Sequence, residues 1–416
     1  MLTYILSKTF INVDVMGFKI EWLTWEHREL GEVSEKTTQK NKDNLYSVTL
    51  TNSAEYGIID QRSFFDKDIS NAKNLSNYYV VHPDDFVYNP RISNEAPVGP
   101  IKRNNLDITG VMSPLYYVFR PHDINKTFLE YYFSTSKWHK FMKLNGNSGA
   151  RSDRFSIKDS EFVKMPIPSP KNEEQVKIGK LLSTAATYLA LQQRKLDQLN
   201  TLKKGLLQKM FADKKHPQPE LRFKGFSGDW EQRKLGDLVI IRSGLSTNTQ
   251  KRDGLYKITR IETISEGVIN ENKVGTVSTK PDNKFLMHTG DILFSNINSL
   301  SHIGKVAIFN GSFVLYHGMN LLRLITTSLV NPYFIYYELT TTGHKTWAKA
   351  HANPAVSQAS INQHELSLET MYITSLVEQE QTARLINKLR TLITLQQKQI
   401  DKLNSLKKSL LQNMFI

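Results

Sequence analysis

The chain has 416 residues, 39% hydrophobic and 23% charged, long enough for two or three domains that each bury a core. It has no cysteine, which excludes disulfides, thiolate nucleophiles and Cys-ligated zinc, and its histidines form no H-x-x-x-H or H-E-x-x-H pair. The formal net charge of +14 suits a polyanionic partner, because a fold gains nothing from the self-repulsion.

Residues 1–24 read as a lead-in without a basic cluster or a small-residue cleavage site, which argues against a secretory signal. No apolar run anywhere reaches the roughly 18–20 residues that span a bilayer. Residues 1–15 match nothing in the second half, so an over-extended start with Met16 nearer the true one is expected. A first mixed α/β domain is predicted over 25–172. Alternating β formers at Tyr46–Thr51 predict a strand, followed by a glycine-marked turn and a short strand at Gly57–Ile59. His82–Pro90 reads as a turn entering a buried strand that ends in polar residues. The loops that follow offer Asn89, Arg91, Ser93, Lys102 and Arg103, and the run Asn145–Arg151 offers Asn147, Ser148 and Arg151. Asn and Arg can bond base edges bidentately, whereas Lys, Ser and backbone N–H groups suit phosphates.

A helix is predicted over 173–212, with no proline from Glu174 to Phe211. Its apolar residues Leu182, Ala185, Leu189, Leu196, Leu199, Leu202, Leu206 and Met210 step by three and four, interrupted by Gln192. A linker over 213–229 leads to a second domain over 230–377. There Tyr256–Glu262 predicts a strand carrying Arg260, Gly267–Ile269 another, and Thr289–Asn296 a turn entering a buried strand. Its contact candidates are Asn296, Asn298, Ser299, Ser301, His302 and Lys305. A final helix over 378–416 carries Ile386, Leu389, Ile393, Ile400, Leu403, Leu406, Leu410 and Met414, with Gln396 at the break. Both seams are coiled-coil-like, and a Gln192–Gln396 layer would fix their register. Such a helix of about 38 residues is roughly 57 Å long, beyond one turn of B-DNA at about 34 Å. Lys203, Lys204, Lys407 and Lys408 are expected on a solvated or partner-docking face.

The two helices are copies. Leu191–Phe211 and Leu395–Phe415 align without a gap at an offset of 204, with 14 of 21 positions identical. The match continues through Glu174-Gln175 and Glu378-Gln379, Ser156-Ile157 and Ser360-Ile361, and, with one residue of slippage, Tyr131-Tyr132 and Tyr336-Tyr337. Trp25–Gly31 matches Trp230–Gly236. Between these anchors, roughly 36–125 and 241–325, the halves look unrelated. A frame kept twice with different inserts points to two recognition surfaces on one scaffold. If a two-fold axis relates the repeats, the helices run antiparallel.

This arrangement resembles the specificity subunits of type I restriction–modification enzymes. The similarity rests on the two alternating variable and helical regions, on the Leu-Lys-Lys-x-Leu-Leu-Gln-x-Met-Phe endings, and on Trp230–Gly236. Gly290–Ser295 with Gly304–Ile308, and Asp85–Pro90 with Gly110–Pro114, are similar to the family's mid-domain strands. The lead-in Pro217–Trp230 resembles the family's usual one, and the first domain has only Met16–Trp25 in its place. The resemblance implies an α+β chain: two α/β target-recognition domains in pseudo-two-fold arrangement, separated by two long antiparallel coiled-coil-like helices. It implies a non-catalytic, cytoplasmic bacterial subunit that reads a bipartite double-stranded DNA target without a membrane role. Its docking residues would include Gln192, Leu196, Leu199, Gln396, Ile400 and Leu403. Two methyltransferase subunits would bind the helices and bring in motor–nuclease subunits. S-adenosylmethionine, ATP and magnesium would belong to those partners. A coiled-coil scaffold without a DNA role is the alternative. No phosphate-cradling G-x-x-x-x-G-K-[ST] loop or G-x-G-x-x-G fingerprint supports an enzyme, and Asn331–Phe334 reads as a helix-start turn.

Overall fold

Each half opens and closes on one antiparallel strand pair. Glu26–Glu29 pairs with Pro166–Ser169, and Glu231–Lys234 pairs with Thr370–Ile373. In this computed structural model the described residues are 14–15, 18–19, 25–64, 75–148, 153–247, 254–264, 267–354 and 358–415. Met16 and Arg151 lie outside them. The chain divides into two compact units, one of residues 1–191 and 400–416, the other of residues 192–399.

The first unit is built on a four-stranded antiparallel sheet of β1 (Ser34–Lys36), β2 (Phe86–Tyr88), β3 (Ile101–Arg103) and β4 (Tyr117–Pro121), in the order β1-β4-β2-β3. The second has β5 (Val239–Ser243), β6 (Ile292–Phe294), β7 (Val306–Ile308) and β8 (Leu322–Thr326), in the order β5-β8-β6-β7. The two orders are the same. The regions that look unrelated in sequence therefore share one topology. Side chains alternate across a strand, and both faces of these sheets are covered. Phe86 and Tyr88 enter one core and Val87 the other; Ile292 and Phe294 enter one and Leu293 the other. Continuous apolar runs at β2 and β6 follow from that double burial.

Two further devices recur. Asp85 accepts the His82 N–H at 2.8 Å and pairs with Arg120 at 2.8 Å; Asp291 accepts the His288 N–H at 2.6 Å and pairs with Arg323 at 2.6 Å. The turn between needs a left-handed residue, Asp84 with φ 72° in one unit and Gly290 with φ 94° in the other. Short helices then start at the N-caps Asn125 and Asn331, as expected for the Asn331 turn. Gln175 accepts the N–H of Asn125 and Gln379 that of Asn331, each at 2.8 Å, and each glutamine donates to a carbonyl before its own helix. This explains the repeated glutamine. The repeated glutamate has diverged: Glu174 accepts from the Trp25 indole N–H, and Glu378 from the guanidinium of Arg222 in the second lead-in.

The long helices are α1 (Asn172–Lys209) and α2 (Leu376–Met414). In the second unit Gln396 Nε2 donates to Gln192 Oε1 at 2.8 Å and to its carbonyl at 3.2 Å, so the expected polar layer is present. Leu196 and Ile400 are buried, whereas Leu202 and Leu406 are more than half exposed and leave the predicted seam. Residues near them reach the cores instead: Leu206, Leu207 and Met210 in the second unit, Leu410, Leu411 and Met414 in the first. A helix turning 3.6 residues per turn drifts off a strict seam, and the globular cores recruit the rotated face. Among the described residues no helix is long and apolar enough to cross a membrane.

Candidate nucleic-acid interface

In the first unit the loop after β2 meets a small hairpin, Asn147–Ser148 with Phe155–Ser156. The Ile92 N–H donates to the Asp153 carbonyl at 3.0 Å, the Phe155 N–H donates to the Pro90 carbonyl at 2.8 Å, and Arg91 bridges Arg154. Asn89, Arg91, Ser93, Asn147 and Ser148 are thus gathered at one edge. They differ in freedom. The Asn89 side chain donates to the Asn52 carbonyl and accepts the Arg91 N–H, so it shapes the loop. Ser93 Oγ accepts the Ala96 N–H. Arg91 is mostly exposed, 3.9 Å from the similarly exposed Asp153, and a surface pair of that kind is readily exchanged for another anion. Asn147 and Ser148 are exposed.

The second unit repeats the arrangement. Ile297–Asn298 after β6 joins Ala359–Ser360 and Asn353–Pro354 in a three-stranded sheet, and the Ile361 N–H donates to the Asn296 carbonyl at 2.8 Å. Asn296 Oδ1 is buried without a partner. Asn298 donates to Ser295 Oγ and accepts the Ser299 N–H, while Ser299, Ser301 and His302 form an exposed hydrogen-bonded cluster. Lys305 follows on the same turn into β7. Asn353, beside this edge, was not among the expected residues. Shifting the first-half run Asn145–Arg151 by the repeat offset would have reached it.

Other candidates fall elsewhere. Lys102 and Arg103 lie on strand β3 rather than in a loop. Arg103 is spent internally: its guanidinium pairs with Asp84 and Glu130. Burial raises the Asp84 carboxyl, but hydrogen bonds from Lys126 and Arg103 outweigh it and hold the group below its usual range. Burial lowers Lys102 against the pull of Glu130. Arg260 is not on a strand. The strand ends at Ile258, and Arg260 pairs with Glu262 at the start of a 3-10 turn, Ile261–Ile264. Gly267–Ile269 is likewise not a strand: the chain bends at Gly267 and Val268, with Gly267 at φ 72°. Among the described residues no group of His, Asp and Glu is arranged to hold a metal.

Duplicated polar edges on matching sheets define a protein that presents two similar but chemically different surfaces. A family model for the type I restriction modification DNA specificity domain matches residues 23–201 and again residues 227–405. The chain belongs to that family. A Methanocaldococcus jannaschii protein, provisionally named the MjaX specificity subunit of a type I restriction enzyme, is 42% identical over 193 residues, 45% of this chain and 45% of the relative. The MjaIX specificity subunit of the same organism is 26% identical over 250 residues, 56% of this chain and 53% of the relative. The chain thus spans about half the length of these curated relatives. The structure of a type I restriction–modification S subunit from M. genitalium is similar with a TM-score of 0.58 at 14% identity, covering 95% of this chain and 97% of that one. A chain from a study of type I complex assembly and conformational transition gives 0.56 at 15%, covering 96% and 99%. At those identities the likeness establishes the fold.

Proposed function

We propose that this chain is the DNA-reading subunit of a type I restriction–modification complex and has no catalytic centre of its own. The edge formed by the loop after β2 and its hairpin reads one half of a split duplex target, and the edge after β6 reads the other. The long helices set the unread gap and dock two methyltransferase subunits, which recruit the motor–nuclease subunits. S-adenosylmethionine, ATP and magnesium belong to those partners. The subunit works in the bacterial cytoplasm.

The observation that carries this reading is the doubling: one sheet order and one set of turn and capping contacts, with different polar groups at the two edges. A scaffold alone accounts for the helices but not for the contrast between the edges. Docking is supported by apolar side chains left more than half exposed at matched positions, Leu191 with Leu395 and Leu202 with Leu406. The test is selection of bound sequences from a random duplex library by the complex of this chain with its methyltransferase. Two short fixed blocks separated by a constant unread gap are expected. No enrichment, or one contiguous block, would contradict the reading.

A further inference from the structure

In the first unit a cleft of about 500 Å³ lies between β3, the turn ahead of His139 and the last turns of α2. Its charged lining is Lys102, Lys137, Lys407 and Lys408 against one carboxylate, Glu95, with His139 beside them. Among the described residues no carboxylate forms an ion pair with Lys137, Lys407 or Lys408. Burial and then Lys143 lower His139, so the lysines supply the positive charge near neutrality. Four ammonium groups against one carboxylate leave a net repulsion that an entering anion relieves.

The second unit has a cleft that matches it at one corner and is otherwise walled by the strand pair Glu231–Lys234 and Thr370–Ile373. Leu207-Gln208 replaces Leu411-Gln412, His344 stands for His139, and the volume is about 580 Å³. Its titratable lining is Asp213, Lys214, Glu338, His344, His351 and Glu369. Lys214 is the one lysine in that lining, so the group of four lysines belongs to the first unit's cleft. The basic lining therefore calls for a ligand that only the first unit takes.

We propose that the basic cleft of the first unit grips a phosphodiester segment of the DNA next to the half-site read by the same unit. This rests on the DNA-reading function above. DNA is favoured over an acidic protein segment by continuity: the loop that carries Asn89, Arg91 and Ser93 has its tip at the Ser93–Ala96 turn, and its Glu95, Ala96, Gly99 and Pro100 line the cleft. Gly99, at φ 81°, folds the loop so closely that a Cβ there would meet the Asn89 carbonyl, so the two legs of the loop are held together at its base. Duplex reaching the tip has its backbone beside the lysines, which hold phosphates without reading bases.

The experiment uses the complex with methyltransferase and the triple variant Lys137→Gln, Lys407→Gln, Lys408→Gln. Affinity for specific and for unrelated duplex should fall by the same factor. The slope of log affinity against log salt should become shallower by about 1 for each lysine that holds a phosphate, with the methylated motif unchanged. The Lys→Arg triple variant should restore both affinity and slope. Unchanged affinity and slope with the split motif intact would overturn the cleft proposal alone. So would loss of methyltransferase assembly with normal DNA binding by the complexes that still form, which would make the cleft a protein-docking site. If the parent complex shows no motif at all, the DNA-reading function itself fails.

Discussion

Glu338 and His317 give the second unit a specific response to pH. Burial, against a hydrogen bond from the Tyr372 N–H and with Glu369 adding to it, pushes Glu338 from 4.5 to about 8. Burial, against a bond to the Leu321 carbonyl and with Arg323 adding to it, lowers His317 from 6.5 to about 4. Between 4.5 and 8 the folded state holds a proton on Glu338 that the unfolded chain has lost, so stability falls as pH rises. Between 4 and 6.5 the unfolded chain holds a proton that folded His317 lacks, so stability rises with pH. The two slopes cancel up to 6.5, and from there to about 8 the unit should lose on the order of 1 to 2 kcal/mol. Glu338→Gln should abolish that loss. Urea unfolding of wild type and variant across this range checks it, and parallel curves would refute the assignment. At this scale the sequence was least informative. Glu338 sits among the matched tyrosines with Phe133 as its counterpart, and nothing local marks it as buried beside Glu369. The roles of Asp85 and Asp291 were equally hidden, because their arginine partners lie some thirty residues away, on β4 and β8.

The elements were easier to read, because periodicity and capping are local signals. The Asn331 helix start, the buried strands at β2 and β6 and both long helices follow from their residues. Strand ends were not legible: Tyr256–Glu262 alternates well, yet the chain leaves the sheet after Ile258 to form a 3-10 turn. The Gln192–Gln396 layer can be tested as an element. Gln192→Leu removes the side-chain acceptor and leaves the Gln396 amide only the carbonyl of residue 192, and should cost about 1 kcal/mol. The double variant with Gln396→Leu should recover most of this, giving a coupling of about 0.5–3 kcal/mol in a double-mutant cycle. Additive losses would mean that the pair is not a coupled layer.

For the whole molecule, the duplicated frame was visible in sequence, but its full extent was not. Residues 36–125 and 241–325 share a sheet order with few shared residues beyond the matched His, Asp and Arg contacts, because buried strands tolerate any apolar set that fits a doubly covered sheet. The chemistry at the two edges diverged further: exposed Arg91, Asn147 and Ser148 in one, the Ser299–Ser301–His302 cluster in the other.

The most direct measurement is a map of methylated sites in cells that co-express this chain with its methyltransferase, before and after residues 25–165 are exchanged for those of a relative. The account predicts a split motif in which one half changes, while the other half and the gap stay the same. A motif that changes in both halves, or that does not depend on this chain, would contradict two independent readers on one frame.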